Sequence, residues 1–160
     1  MKDIKFRAWN KLYGMMGEVI AMYFSNAHYE GCNVKYSEDN IGVETKDKIS
    51  LMQYTGFKDK NGKEIYEGDI LKGYCYPFMS GDKTWYVPKG EKPRYNYFLE
   101  ICWSDELASF CGVHRTARNV SARASADISD YLECFDFSKM EVIGNIYENP
   151  ELLEEATDGR

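Results

Sequence analysis

The sequence predicts a mainly β protein of the α+β class. The expected form is a small curved sheet or SH3-like barrel with long insertion loops and one or two short helices, one of them C-terminal. Three observations predict it. Short segments alternate apolar and polar residues with a period of two. Gly, Asn and Asp punctuate those segments at tight-turn spacing. Helical signals are confined to the C-terminal part of the chain. The 160 residues read as one domain, 1–160, with a variable insertion at about 72–140.

The elements follow in order. Ile4, Phe6 and Ala8 alternate with Lys5, Arg7 and Trp9, which is a strand with two chemically distinct faces. Asn10, Lys11 and Gly14 supply a turn, and a second apolar run extends from Met15 to Phe24. From Ser25 to Lys48 the chain is polar and reads as loop, with one short strand around Val34-Lys35-Tyr36. Ile49 to Tyr54 is strand-like, and Asn61-Gly62 is expected to close a hairpin through a type I′ turn. Glu67-Gly68-Asp69 makes a second tight turn into Ile70-Leu71.

Residues 72–97 interleave Tyr74, Tyr76, Phe78, Trp85, Tyr86, Tyr95 and Tyr97 with prolines and cations, an exposed excursion without a regular period. Tyr97 to Trp103 reads as a buried strand, pairing with Leu107–Val113 across the Ser104-Asp105-Glu106 turn. His114 to Ser125 holds Arg115, Arg118 and Arg123 and no acid, and reads as a basic loop or frayed helix. Ile128, Tyr131, Leu132 and Phe135 carry the stripe of a short amphipathic helix. Met140 to Tyr147 returns to strand alternation. Asn149 and Pro150 then fit the N-cap and first position of a terminal helix that needs Leu152 and Leu153 to dock.

Composition narrows the functional classes. A hydrophobic fraction of 44% and an aromatic fraction of 15% exclude a disordered chain. A net charge of −6 argues against bulk, sequence-blind DNA binding, which needs a cationic footprint. No apolar run approaches the roughly 20 residues that span a bilayer, and the start lacks an apolar leader, so the expectation is a cytoplasmic protein without membrane partners. Cys32, Cys75, Cys102, Cys111 and Cys134 are too irregularly spaced for a disulfide framework and fit a reducing compartment. Cys102 with Cys111-Gly-Val-His114 hints at zinc, but lacks the second close pair of a structural site; buried thiols are the expectation. Gly81-Asp82-Lys83-Thr84 lacks the earlier glycine of a phosphate loop. No metal site and no cofactor are expected.

Three blocks carry a resemblance. They are Ile4–Trp9, Leu51–Ile70 (LMQYTGFKDKNGKEIYEGDI) and Glu141–Leu153 (EVIGNIYENPELL). Together and in this order they resemble the YopX family of small bacteriophage and prophage proteins, over roughly a quarter of the chain. The resemblance implies a phage gene product in a bacterial host cytoplasm, with homo-oligomers, and brings no catalytic residues. Gly56, Asn61-Gly62, Glu67-Gly68-Asp69 and Gly144 within the blocks read as turn and bulge positions of a scaffold.

The candidate binding surface is therefore placed on the two segments the blocks leave open. Arg115, Arg118 and Arg123, with His114, suit phosphate oxygens, and Trp85, Tyr86 and Tyr95 suit stacking on bases. Alternatively, these arginines pair with the acidic C-terminal segment. The leading expectation is a non-catalytic accessory protein that modulates or inhibits a host process, such as anti-phage defence, through a protein partner or by sequestering a nucleotide ligand. One alternative is a nucleic-acid-binding protein of phage replication or recombination. The other is a metal-dependent nuclease or nucleotide hydrolase using Glu64, Glu67 and Asp69, although a hairpin mouth also needs exposed charge to stay soluble.

Overall fold

The computed structural model describes residues 3–75, 95–106, 108–114, 129–131 and 136–153, with backbone alone at 74–75, 95–97, 114 and 129–131. Its chain divides into two compact units: residues up to Phe57 with Glu64–Glu67, and Lys58–Lys63 with the chain from Gly68 onward.

The first unit holds a six-stranded antiparallel sheet. In chain order its strands are β1 (Phe6–Asn10), β2 (Met15–Ser25), β3 (His28–Ser37), β4 (Asn40–Thr45), β5 (Ile49–Lys58) and β6 (Glu64–Tyr66), arranged β4-β3-β2-β1-β5-β6. The period-two reading of β1 holds. Ala8 is fully buried opposite Gly17 and Leu51, and packs with Cys32, Val34 and Ile49 into the core of this unit.

The stretch Ser25 to Lys48, expected as loop with one short strand around Val34-Lys35-Tyr36, is instead two strands: β3, which contains that short strand, and β4. Two features hid them. The β2–β3 hairpin turns on Asn26 and Ala27, both at positive φ, so the left-handed turn lacks its usual glycine. Register shifts at Glu30, against β2, and at Tyr36, against β4, break the alternation along β3 that identifies a strand.

The Asn61-Gly62 hairpin also forms by a different turn. The Gly62 N–H donates to the Asp59 carbonyl at 2.9 Å, which makes Lys60 and Asn61 the central residues. Only Gly62 has positive φ, at 80°. This is a three-residue loop ending in a glycine bulge rather than a type I′ turn, because the side chain of Asp59 already holds the Asn61 and Lys63 N–H groups, at 2.8 and 2.9 Å.

The second unit holds a five-stranded antiparallel sheet of β7 (Asp69–Cys75), β8 (Tyr95–Ser104), β9 (Ser109–His114), β10 (Ser129–Tyr131) and β11 (Glu141–Asn145), in the order β10-β9-β8-β7-β11. Its buried side chains include Ile70, Leu71, Leu99, Ile101, Cys111, Met140 and Val142. The β8–β9 hairpin pairs as expected, from Leu99↔His114 to Ser104↔Ser109. The amphipathic helix expected around Ile128 to Phe135 is not what Ser129–Tyr131 form: they pair as β10 with Cys111–Val113. Backbone bonding along the edge of β9 outweighs a helical spacing that carries Ser129 and Asp130, both indifferent helix formers.

A 3-10 turn, Phe137–Lys139, precedes β11, and residues 151–153 form the terminal helical turn. The docking that this turn requires is present. A Cβ on Gly144 would lie 2.8 Å from Leu152 Cδ1 and 2.5 Å from Asn149 Oδ1, so the helix start rests directly on the bare backbone of β11. Among the described residues both sheets are open, and neither closes into a barrel.

Candidate functional site

The most chemically varied face in the first unit lies across β1, β5 and β6. Alternation along β1 puts Lys5 and Arg7 on the face opposite Ala8. Antiparallel register sets Arg7 against Met52, and the Tyr54 N–H donates to the Lys5 carbonyl at 2.9 Å. From β6, Glu64 and Tyr66 reach the same side chains. Lys5 Nζ donates to Glu64 Oε1 at 2.6 Å, and Tyr66 OH donates to Glu64 Oε2 at 2.9 Å. The Arg7 guanidinium carbon sits 4.8 Å from the Tyr66 ring centroid, and Lys5 Nζ sits 5.5 Å from that of Tyr54. The two rings are 5.5 Å apart and tilted by 45°.

The Arg7–Tyr66 cation–π contact contributes about 0.5–1 kcal/mol. The Lys5–Glu64 pair is partly solvated, with side-chain exposures of 41% and 27%, so water screens it. Burial pushes the Tyr66 phenol well above its ordinary pKa, and its hydrogen bond to the Glu64 carboxylate pushes it further. The Glu64 hydrogen bond likewise raises the Lys5 pKa. The face thus presents the cations Lys5 and Arg7, two phenols, and the carboxylates of Glu64 and of Glu18, which stands opposite Arg7 on β2, with aromatic surface between the charges.

Elsewhere polar groups serve the frame. Asn10 Oδ1 accepts from the N–H groups of Leu12 and Tyr13 at 3.0 and 3.1 Å, which fixes the turn after β1. Its Nδ2 donates to Tyr36 OH at 3.0 Å, and that hydroxyl donates to the buried Glu44 carboxylate at 3.0 Å. In the second unit Asp59 Oδ2 accepts from the Val142 N–H at 3.0 Å. Lys60 adds a backbone bond to the Met140 carbonyl and an ion pair with Glu141.

The residues expected to bind are distributed as follows. Arg115, Arg118, Arg123, Trp85 and Tyr86 lie outside the described residues. Tyr95 opens β8, paired with Cys75, and His114 closes β9, paired with Leu99; for both the backbone is described. Of the candidate metal carboxylates, Glu64 is engaged by Lys5 and Tyr66, and Asp69 is 1% exposed. Glu64 and Glu67 fall in the first unit and Asp69 in the second. No cluster of potential metal ligands occurs among the described residues.

The Lys5, Arg7, Tyr54 and Tyr66 face was not singled out from the sequence. The available signal was the Lys5-Arg7-Trp9 face of the first strand, set apart by alternation from Ile4, Phe6 and Ala8. That Glu64 and Tyr66 complete it depends on a hairpin bringing β6 alongside β5.

Comparison with known proteins adds one decisive observation. The family described as YopX protein matches residues 5–154, nearly the whole sequence. The chain belongs to the YopX family. The match runs through the intervals between the three blocks that carried the resemblance, and so takes in 72–140 as well. Among solved structures, this YopX chain is similar to protein EF1440 from Enterococcus faecalis, at 26% identity, with 96% of this chain and 99% of that chain covered and a TM-score of 0.54. No curated protein matches it. Four members of the face, Lys5, Arg7, Tyr54 and Tyr66, come from the first two blocks, so those blocks hold chemistry as well as turns. No helix among the described residues is long and apolar enough to cross a membrane.

Proposed function

We propose that this YopX-family chain is a non-catalytic accessory protein of a bacteriophage or prophage, acting in the host cytoplasm by binding a nucleotide ligand and thereby tuning a host process. The observation that carries the reading is the face across β1, β5 and β6. There Lys5 and Arg7 stand over Tyr54 and Tyr66 within 5.5 Å. A planar base would stack on the half-buried phenol rings in place of the cations that cover them, and a phosphate competes with Glu64 for Lys5. The arginines at 115, 118 and 123 are the second set of groups suited to phosphate.

The test is a thermal-shift screen of mono-, di- and cyclic nucleotides on the full chain. A binding nucleotide raises Tm by mass action. Tyr54→Ala and Lys5→Ala abolish the rise while leaving the circular dichroism spectrum unchanged, and the double variant Arg115→Ala/Arg118→Ala weakens it. Absence of any shift at millimolar nucleotide refutes the reading. A rise produced by oligonucleotides alone, and lost steeply as salt increases, favours the replication or recombination role instead. Metal-dependent turnover lost in Asp69→Ala establishes a nuclease or hydrolase.

Self-association belongs to the same proposal. β4 ends the first sheet, is six residues long, and displays Ile41 and Val43 at 53% and 75% exposure. It carries neither the lysine nor the proline that usually blunts an edge. A strand of this kind supports a homo-oligomer formed by edge-to-edge pairing.

A further inference from the structure

The second sheet brings two thiols together that no function above uses. Cys102 on β8 and Cys111 on β9 are direct cross-strand partners. Their sulfurs are 3.5 Å apart, and the Cys111 thiol also points at the Cys102 carbonyl, at 3.7 Å. Directly opposed residues of an antiparallel pair have Cα atoms about 4.5–5.5 Å apart, which lies inside the span a disulfide accepts. Neither sulfur is oxidised, Cys111 is buried, and Cys102 is partly exposed. The geometry points to a redox-active dithiol: a modification site whose substrate class is a low-molecular-weight disulfide, and whose product is a cross-strand clamp on the β8–β9 hairpin.

The exposure difference orders the two steps. The Cys102 thiolate attacks one sulfur of the small disulfide, forming a mixed disulfide and releasing one small thiolate. The Cys111 thiolate then attacks Cys102 Sγ, closing the protein disulfide and releasing the second small thiolate. Two protons leave the protein thiols and appear on the two released thiols; the protein pair is oxidised by two electrons and the small disulfide reduced by two. The reach required is small, because side-chain rotation alone closes a 3.5 Å gap between sulfurs on facing strands.

Closure has a mechanical result. Beyond the cysteines lie the pairs Trp103↔Phe110, with rings 5.2 Å apart, and Ser104↔Ser109, then the turn. At its other end the hairpin begins at Tyr95 and continues in sequence into residues 76–94, which hold Trp85 and Tyr86, and 115–128, which hold the three arginines. A disulfide therefore removes fraying of the strand pair that carries both segments.

The experiment titrates the reduced full-length chain with oxidised glutathione, quenches by alkylation and maps peptides by mass. One intramolecular disulfide joining Cys102 and Cys111 is expected, fully reversed by dithiothreitol. Cys111→Ser stops at the first step and accumulates a glutathione adduct on Cys102, whereas Cys102→Ser leaves Cys111 a thiol. Amides from Ser104 to Ser109 exchange at least about threefold more slowly in the oxidised protein, and show no change in the folded double serine variant. Persistence of both thiols at a glutathione disulfide concentration that modifies other cysteines overturns the proposal. So does a disulfide that joins either residue to Cys32, Cys75 or Cys134 instead.

Discussion

Asp59 binds the backbone of Val142, eighty-three residues further along the chain, through a 3.0 Å hydrogen bond from the Val142 N–H. The same carboxylate organises its own turn through the Asn61 and Lys63 N–H groups. Burial alone would raise its pKa, yet these three backbone donors outweigh burial and hold it below the ordinary carboxylate value. Asp59→Ala strips all three bonds from a residue 6% exposed and should cost about 2–4 kcal/mol, read as a lower urea midpoint.

A pH dependence follows from the same group. Its folded pKa is depressed, so its contribution is complete above the unfolded value near 4 and is lost as pH falls through the folded value. Stability should therefore drop as pH falls below about 4, and Asp59→Asn should flatten that part of the profile. Urea midpoints measured across that range check both slopes.

Two glycines should respond to alanine for different reasons. Gly144→Ala drives a methyl into Asn149 Oδ1 and Leu152 Cδ1, lifting the terminal turn off β11, at about 1–3 kcal/mol. Gly62→Ala meets nothing within 4 Å, but forces a left-handed φ of 80° on an L residue, at about 1–2 kcal/mol. Leu152→Ala should share most of its loss with Gly144→Ala in a double-mutant cycle, whereas Gly62→Ala and Leu152→Ala should be additive.

Glu64→Gln tests the aromatic face without removing any ring. It keeps the size of the side chain and cancels the negative charge that binds Lys5 and Tyr66. Spectrophotometric titration should then show Tyr66 ionising at lower pH, though still above the free value, because burial is the larger cause of its shift, while Tyr29, raised chiefly by its own burial, is unchanged.

Val43→Lys places a charge on the exposed edge strand at a side chain that is 75% exposed and therefore contributes little to folding. If chains associate through β4, light scattering should show a smaller species for this variant at an unchanged Tm. An unchanged mass would place the contact elsewhere.

Legibility of the chain tracked the locality of its signals. β1, β5, the β8–β9 hairpin and β11 were readable because alternation or a turn residue lies within each segment. β3 and β4 were not, since bulges and the Asn26-Ala27 turn disrupt both cues. The stripe at Ile128 to Phe135 misled because pairing with β9 is a long-range event that no local period records. The face at Lys5 and Tyr66 is assembled from residues sixty-one positions apart in sequence, and the Asp59–Val142 bond spans still more. Only the hairpin that presents β6 makes the first relationship, and only β11 the second.

The route of the chain through residues 58–68 has a practical consequence. Lys58–Lys63 belong with the second unit, Glu64–Glu67 return to the first, and the chain leaves again at Gly68, where φ is 77°. A fragment cut after Phe57 loses Ile65, the wholly buried centre of β6, and one cut after Glu67 keeps Asp59 but abandons its acceptor role toward Val142. The chain thus passes between the two units three times within residues 57–68, and no single cut in that stretch leaves each unit with all of its own residues.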